Sequence, residues 1–403
     1  MIQMKLLQLF TVFFVFPVLL TAQTDTLSNV YLNTADQMLA NKSKLNIGGY
    51  GEVHYNQPLN KDKKDLGTLD VHRMVLFFGY NFSSKTQFVT EIEVEHAKEV
   101  WVEQAFLQHK LNSWANFKAG LMLVPMGIVN EYHEPTTFNG VERPVIDNKL
   151  AISTWREVGA GFSGTILPAS LKYQMYVTSG LSGYDSKAIF NGSAGLREGR
   201  QKGSKAYVNS PAFSGKVEYF GIKNLNVGLS GYLGKSQSKL YNNLADDNSA
   251  GIAKADSSVV GISMFGADAR YNLKGLELRG QLYLASLSNT EEYNVFTKTG
   301  QKNNDLGSKM TGYYVEAGYN VLRGVAKTKM ELVPFIRYEF YNMHQSVTAP
   351  VVANDAYKNT VITGGLTCRL TKNAVLKTDL QWTKPASTGE WSKVLNAGIG
   401  VMF

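Results

Sequence analysis

Residues Trp391–Phe403 read WSKVLNAGIGVMF. Leu395, Ala397, Ile399, Val401 and Phe403 fall on one face, and Asn396, Gly398, Gly400 and Met402 on the other. Alternation with a period of two is the signature of a β-strand. The same pattern recurs in LELRGQLYLA, where Leu276, Leu278, Leu282 and Leu284 alternate with Glu277, Arg279, Gln281 and Tyr283. It recurs in VLKTDLQW, where Lys377, Asp379 and Gln381 oppose Leu376, Leu380 and Trp382. These runs span about 9–13 residues, longer than the usual strand of about 5–6. They match the length a tilted strand needs to cross a bilayer.

Working outward, sixteen such segments are readable: 45–56, 69–82, 86–97, 99–111, 115–122, 154–166, 170–179, 205–220, 224–235, 257–272, 275–287, 309–322, 330–342, 359–370, 375–383 and 391–403. Connections alternate between tight (near Ser84, Ser113, Ala169, Ile222, Lys274 and Asn373) and mostly long (57–68, 124–153, 180–204, 236–256, 288–308 and 343–358). Ala97–Lys98 is short for the long series, and Leu322–Lys329 is long for the tight one. Short periplasmic turns, longer outer loops and an even strand number describe an outer-membrane barrel. The fold expected is therefore all-β, a transmembrane antiparallel β-barrel of about 16 strands. A soluble β-protein would not need polar residues on one strand face and apolar ones on the other throughout the chain. Aromatic residues sit where girdles belong, at Tyr80, Phe82, Tyr219, Phe220, Trp382 and Trp391.

The ends and the composition agree. Lys5 precedes the apolar run Leu6–Leu20 and a small residue, Ala22, which reads as a cleavable secretory signal over 1–22. Residues 23–44 read as a periplasmic lead-in and 45–403 as the barrel. No later apolar run reaches helix-spanning length. The net charge of +8 falls to +7 once Lys5 is gone. The single cysteine, Cys368, allows no internal disulfide, so chain closure must stabilise the framework. Lys61, Lys63, Lys64, Arg197, Arg200 and Lys202, read as outer-loop residues, could meet anionic lipopolysaccharide. Nothing suggests nucleic acid.

With the apolar face turned to lipid, nine bases face the lumen: Arg73, Lys118, Lys172, Lys216, Arg270, Arg279, Arg337, Arg369 and Lys377. Thirteen acids join them: Glu52, Glu91, Glu93, Glu95, Glu103, Glu157, Glu218, Asp268, Glu277, Glu316, Glu331, Glu339 and Asp379. The first four strands are rich in glutamate and strands ten to fifteen in arginine. Either this sets a transverse field or the charges pair within a wet wall. Glu91, Glu93 and Glu95 stand on one face about 6–7 Å apart. Such a ladder could bind a hard cation, but His96 beside them should point the other way, so the metal site is the minor reading and no metal or cofactor is assigned.

The stretch VPMGIVNEYHEPTTFNGVERPVIDNKLAIS, Val124–Ser153, has no period, and its length exceeds the usual loop. Its apolar residues, among them Tyr132, Phe138 and Val141, require a surface to pack against. Its charges include Glu131, His133, Glu134, Glu142, Arg143 and Asp147. His133 between two glutamates is the best acid–base candidate, which keeps a barrel esterase or phospholipase as the alternative function. A charged loop without chemistry is the preferred reading.

FNGVERP at Phe138–Pro144 and STWREVGAGFSG at Ser153–Gly164, with the signal and the sixteen strands, resemble the phosphate-selective porin O and P family, especially its Bacteroidetes members. The resemblance implies a trimeric, sixteen-stranded porin of a Gram-negative outer membrane, its third outer loop folded into the lumen as the constriction. The six charged loop residues would then line the constriction. Members named for phosphate carry a basic ladder, whereas acids here outnumber bases, so phosphate-binding residues are not carried over. Phe403 resembles the C-terminal signature read by the barrel-assembly machinery. The function expected is passive, charge- and size-selected diffusion of small hydrophilic solutes or ions. An anion-specific channel, for phosphate among others, is a further alternative.

Overall fold

The computed structural model describes residues 31–59, 64–325 and 328–403. The signal segment, the first part of the lead-in, Lys61 and Lys63 lie outside the described residues. Sixteen antiparallel strands close into a barrel, each paired with its sequence neighbours and the first with the last. They are β1 (Leu45–Pro58), β2 (Thr68–Asn81), β3 (Thr86–Glu95), β4 (Glu99–Lys110), β5 (Asn116–Leu123), β6 (Arg156–Ile166), β7 (Leu171–Thr178) and β8 (Ala212–Ile222). The second half comprises β9 (Leu225–Lys235), β10 (Gly261–Leu273), β11 (Leu276–Ser288), β12 (Lys309–Tyr319), β13 (Glu331–Ser346), β14 (Lys358–Thr371), β15 (Ala374–Pro385) and β16 (Ser392–Met402). The expected strand number and class hold.

Closure runs through the stretch that first revealed the pattern. β16 pairs with β1 so that Ile399 faces Val53 and Gly400 faces Glu52. The Phe403 N–H donates to Gly49 O and the Gly49 N–H to Phe403 O, both at 2.9 Å. A side chain on Gly49 would collide with Val75 O and the Phe403 ring, so the glycine admits this close approach. The faces are inverted relative to a soluble protein. Leu395, Ile399 and Val401 are 39%, 52% and 43% exposed, while Asn396 is 1% exposed. Large apolar side chains cover the outside of strands all round the ring, among them Ile47, Met74, Val102, Phe162, Leu229, Val315 and Ile336. A closed sheet pairs its backbone internally, leaves no edge, and tolerates apolar surface only in hydrocarbon. The chain is an outer-membrane barrel.

Three local departures have physical causes. Residues 205–211, expected to start a strand, are held in the fourth outer loop, where the Tyr207 N–H donates to Gln201 Oε1 at 3.0 Å and buried Gln237 accepts from Asn209 N–H at 2.5 Å. The expected strand to residue 97 stops at Glu95, because His96 and Ala97 adopt left-handed φ values of 52° and 58° in a tight outer turn. The largest departure is in the lead-in. Asn33 caps a short helix, α1 (Thr34–Ala40), by accepting from the Asp36 N–H at 2.8 Å. Thr34, Ala35 and Met38 are buried, and the Gln87 side chain of β3 donates to Leu39 O. This segment packs inside the mouth of the barrel on the side of the tight turns.

Candidate functional site: the lumen and its inward loop

The third outer loop, Val124–Trp155, turns inward at once. One side chain clamps both of its ends: Asn130 Nδ2 donates to Val124 O (2.7 Å) and Trp155 O (2.9 Å), and Asn130 Oδ1 accepts from Trp155 N–H (2.7 Å). Tyr132, Phe138, Val141 and Ile146 are at most 5% exposed. Ile146 belongs to a short helix, α2 (Val145–Lys149). It packs in an apolar cluster with Met126, Leu150, Trp155, Leu181, Phe190 and Tyr293, which ties the loop to its outer neighbours.

The wall strands hold the loop through its backbone. Ile128 N–H donates to Gln281 Oε1 (2.9 Å), Val141 N–H to Asp379 Oδ2 (2.7 Å) and Ile146 N–H to Glu339 Oε2 (3.2 Å). Arg337 donates to Asn139 O and Glu142 O at 3.3 and 3.2 Å. Irregular backbone at membrane depth is tolerated where it is buried in protein or lines a water-filled cavity, and these donors and acceptors seat the loop against the wall.

The six charged loop residues part company. Glu131 accepts from Gln174 and pairs with Lys216 (3.4 Å). His133 is buried against Glu91 and Glu103, so neither ring nitrogen is turned to a cavity. Glu134 accepts from Thr34 of α1 (2.5 Å). Asp147 accepts from Gln281 and from the Tyr283 hydroxyl (3.0 Å). Only Glu142 and Arg143 border the outer vestibule, a cavity of ≈ 180 Å³. Burial pushes the Asp147 carboxyl up to about 7 despite its two donors. Burial acts the same way on Glu142, but hydrogen bonds from His54 (3.2 Å) and Asn56 (3.0 Å) prevail and bring it down to about 2.

The wall residues face inward and pair mostly with the same or adjacent strands, Arg369 reaching Glu277 past two intervening strands. Arg73 meets Glu52 (2.7 Å) and Glu93 (3.2 Å). Arg270 meets Glu218 (2.7 Å), and Arg279 meets Glu316 (3.2 Å). Arg337 binds Glu316 and Glu339, and Arg369 binds Glu277 and Glu331. Lys377 lies 3.8 Å over the Phe138 ring. Glu95 lines the vestibule, and Glu91 abuts His133. At the outer rim His72 and His96 both turn Nδ1 toward Asp70 Oδ2, at 3.3 and 2.7 Å.

The vestibule brings together residues that pattern reading had placed outside. Arg197 and Arg200 of the fourth outer loop fold inward, and both donate to Ser153 O, at 2.7 and 3.1 Å. With Arg73, Arg143, Arg156 and Lys202 they line the cavity together with Glu52, Glu93, Glu95 and Glu142. Burial, then the neighbouring Arg197 and Arg156, lowers the Arg200 guanidinium to about 9. No periodicity marks these loop residues, and only the density of Arg and Lys over 197–202 hints at them. The periplasmic side opens into cavities of ≈ 740 and ≈ 450 Å³, and neither shares a lining residue with the vestibule.

No family model matches this chain. An uncharacterized protein of Aquifex aeolicus strain VF5 is 32% identical over 318 residues, which cover 76% of this chain and 68% of that protein. The chain belongs to the same family as that protein. An anion-selective porin from Comamonas acidovorans aligns with a TM-score of 0.55 at 14% identity, over 89% of this chain and 99% of the porin. OmpT, an outer membrane protein of Vibrio cholerae, in its trimer form aligns with a TM-score of 0.51 at 12% identity, over 89% of this chain and 99% of that one. At these identities the likeness is one of fold, and the fold is that of outer-membrane barrels.

Proposed function

We propose that the protein is a passive outer-membrane channel for small hydrophilic solutes, gated by its third outer loop and favouring anions at its outer entrance. The observation that carries this reading is the loop itself: a 32-residue segment, Val124–Trp155, folded across a charged lumen and anchored to strands on several sides. A closed barrel needs no such loop for stability, whereas a channel needs a constriction. Selection then follows from width and charge, with no chemical step.

Anion preference rests on unequal pairing in the vestibule. Among the described residues, Arg143, Arg197, Arg200 and Lys202 have no carboxylate within 4.0 Å. Of the vestibule's carboxylates, Glu52 and Glu93 are taken by Arg73 and Glu142 by His54, while Glu95 has no cation within 4.0 Å among the described residues, so four unpaired bases stand against one unpaired acid. The residual field at the entrance is positive and would concentrate anions. The fold shared with an anion-selective porin supports this reading, as does the resemblance to porins named for phosphate; phosphate as the solute would be one case of it. A homotrimer is the assembly we propose, on the fold shared with a barrel seen as a trimer. Lipid and lipopolysaccharide would surround it, and terminal Phe403 would be read during barrel assembly.

Planar-bilayer recording tests the reading. Purified protein should give discrete conductance steps, and the zero-current potential in a salt gradient should have the sign of anion preference. Membranes that stay silent would overturn the channel; a cation-preferring potential would overturn the selectivity alone.

A further inference from the structure

We infer that Glu91, Glu103 and His133 form a binding site for a divalent transition-metal ion that pins the third outer loop to β3 and β4. The three side chains are 0%, 0% and 2% exposed, and their ligating atoms lie within 4.8 Å of one another. His133 turns Nδ1 to Asn130 O at 3.2 Å and aims Nε2 between the two carboxylates. That nitrogen is 3.4 Å from Glu91 Oε1 and 3.3 Å from Glu103 Oε2. A direct ion pair between imidazolium and carboxylate closes to about 2.7–2.9 Å. Both separations here are longer than that, in the range of a weak ion pair. They match the spacing of about 3.3–3.4 Å between ligands held at about 2.0–2.1 Å around a tetrahedral ion.

The surroundings divide each carboxylate in the same way. Glu91 Oε2 accepts from Gln104 Nε2 at 2.7 Å, leaving Oε1 turned to the centre. Glu103 Oε1 accepts from Arg156 at 3.4 Å, leaving Oε2 turned to the centre. Glu103 Oε2 is fully enclosed and accepts no hydrogen bond among the described residues. Its one ion-pair contact among the described residues is with His133 Nε2, a long contact that offsets little of the cost of burial, and an ion at the centre would satisfy it. An imidazole whose other nitrogen is fixed by a backbone carbonyl is the usual posture of a ligating histidine. A dipositive ion would balance both carboxylates with His133 neutral, its Nε2 proton having left to solvent. One imidazole and two carboxylates suit Zn²⁺, with water completing the shell. The glutamate ladder of β3 thus contributes only Glu91, since Glu93 is taken by Arg73. The partners come from β4 and the loop, a combination no local spacing displays.

The test uses the full-length untagged protein in detergent, exposed to Zn²⁺ and dialysed against a weak chelator, with zinc measured per chain by mass spectrometry. His96→Ala serves as background, because Asp70, His72 and His96 bring a second set of ligating atoms together at the rim. The expected result is about one zinc per chain, lost in Glu103→Gln and in His133→Gln. Heat-modifiable gel migration confirms that each variant is a folded barrel, and Glu91→Gln replaces any that is not. Co²⁺ in place of Zn²⁺ should give a visible absorption band that the same variants lose. No zinc in the background protein, or equal zinc in folded variants, would overturn the site and leave an imidazolium bridging two carboxylates.

Discussion

Gly127 and the Tyr283 hydroxyl meet where the third outer loop leaves the wall, and a methyl group on Gly127 would overlap that hydroxyl. Gly127 also holds a left-handed φ of 68°. Gly127→Ala therefore combines a left-handed conformation costing about 1 kcal/mol with overpacking of about 1–3 kcal/mol. The barrel should still form, but the loop should exchange its amide hydrogens faster and single-channel conductance should rise. Unchanged exchange over 124–155 would show that the contact does not govern docking.

Removing the part of the loop that crosses the lumen should have a larger effect. Thr136–Asp147 carries the contacts to Asp379, Arg337, Glu339 and Gln281. Deleting it should enlarge single-channel conductance by about two-fold or more, if width limits flow. An unaltered conductance would place the constriction elsewhere.

Docking of the loop should depend on pH in two opposite limbs. The Asp147 carboxyl sits above its ordinary value, so the docked loop holds a proton that a free loop releases; docking weakens as pH climbs from about 4 to about 7. Glu142 sits below its ordinary value, so its contribution is complete above about 4.5 and is lost as pH falls toward 2. Hydrogen exchange of loop amides, corrected for intrinsic rates, should be slowest near pH 4–5. Asp147→Asn should flatten most of the upper limb, and a flat wild-type profile between pH 5 and 8 would contradict the assignment.

The vestibule argues for a charge effect on permeation, beside the loss of the contacts that Arg197 and Arg200 make to Ser153 O. Arg197→Ala with Arg200→Ala removes two cations that lack carboxylate partners, and should lower the anion-to-cation permeability ratio by roughly two-fold or more. The shift should shrink at high salt, where the field is screened. A ratio that does not move would mean that ions bypass this cavity.

At the other mouth, Lys172 binds Asp36 of α1 at 2.8 Å. Asp36→Ala leaves a largely buried ammonium with, among the described residues, only Tyr31 O and the Tyr132 hydroxyl as hydrogen-bond partners, at 3.3 and 3.2 Å. Losing the partner of a buried pair costs roughly 3 kcal/mol, enough to release the helix. Protease sensitivity of residues 31–44 should increase while the barrel stays heat-modifiable. Resistance equal to that of the wild type would show that α1 is held by its apolar side alone.

Sequence alone determined the strands, their number and their inward and outward faces. Period two is a local property: Asn396 and Ile399 lie on opposite faces whatever else the chain does, and a bilayer demands that this hold along every strand. The tight and long connections followed from the same pattern, as did the inward aim of Arg337 and Lys377. What the charges do once inside was not determined locally. Acids crowd the first strands and bases the later ones, a pattern open to a transverse field or to local pairing; Arg73 is taken by Glu52 and Glu93, and Arg337 by Glu316 and Glu339, because salt bridges form over a few ångströms and ring closure brings the partners together. The long loop was legible as something that must pack. Only the tertiary structure placed Glu131, His133 and Asp147 in wall contacts, turned Arg197 and Arg200 inward, and drew α1 into the mouth. Those contacts join residues far apart in the chain, and no repeat or spacing encodes them.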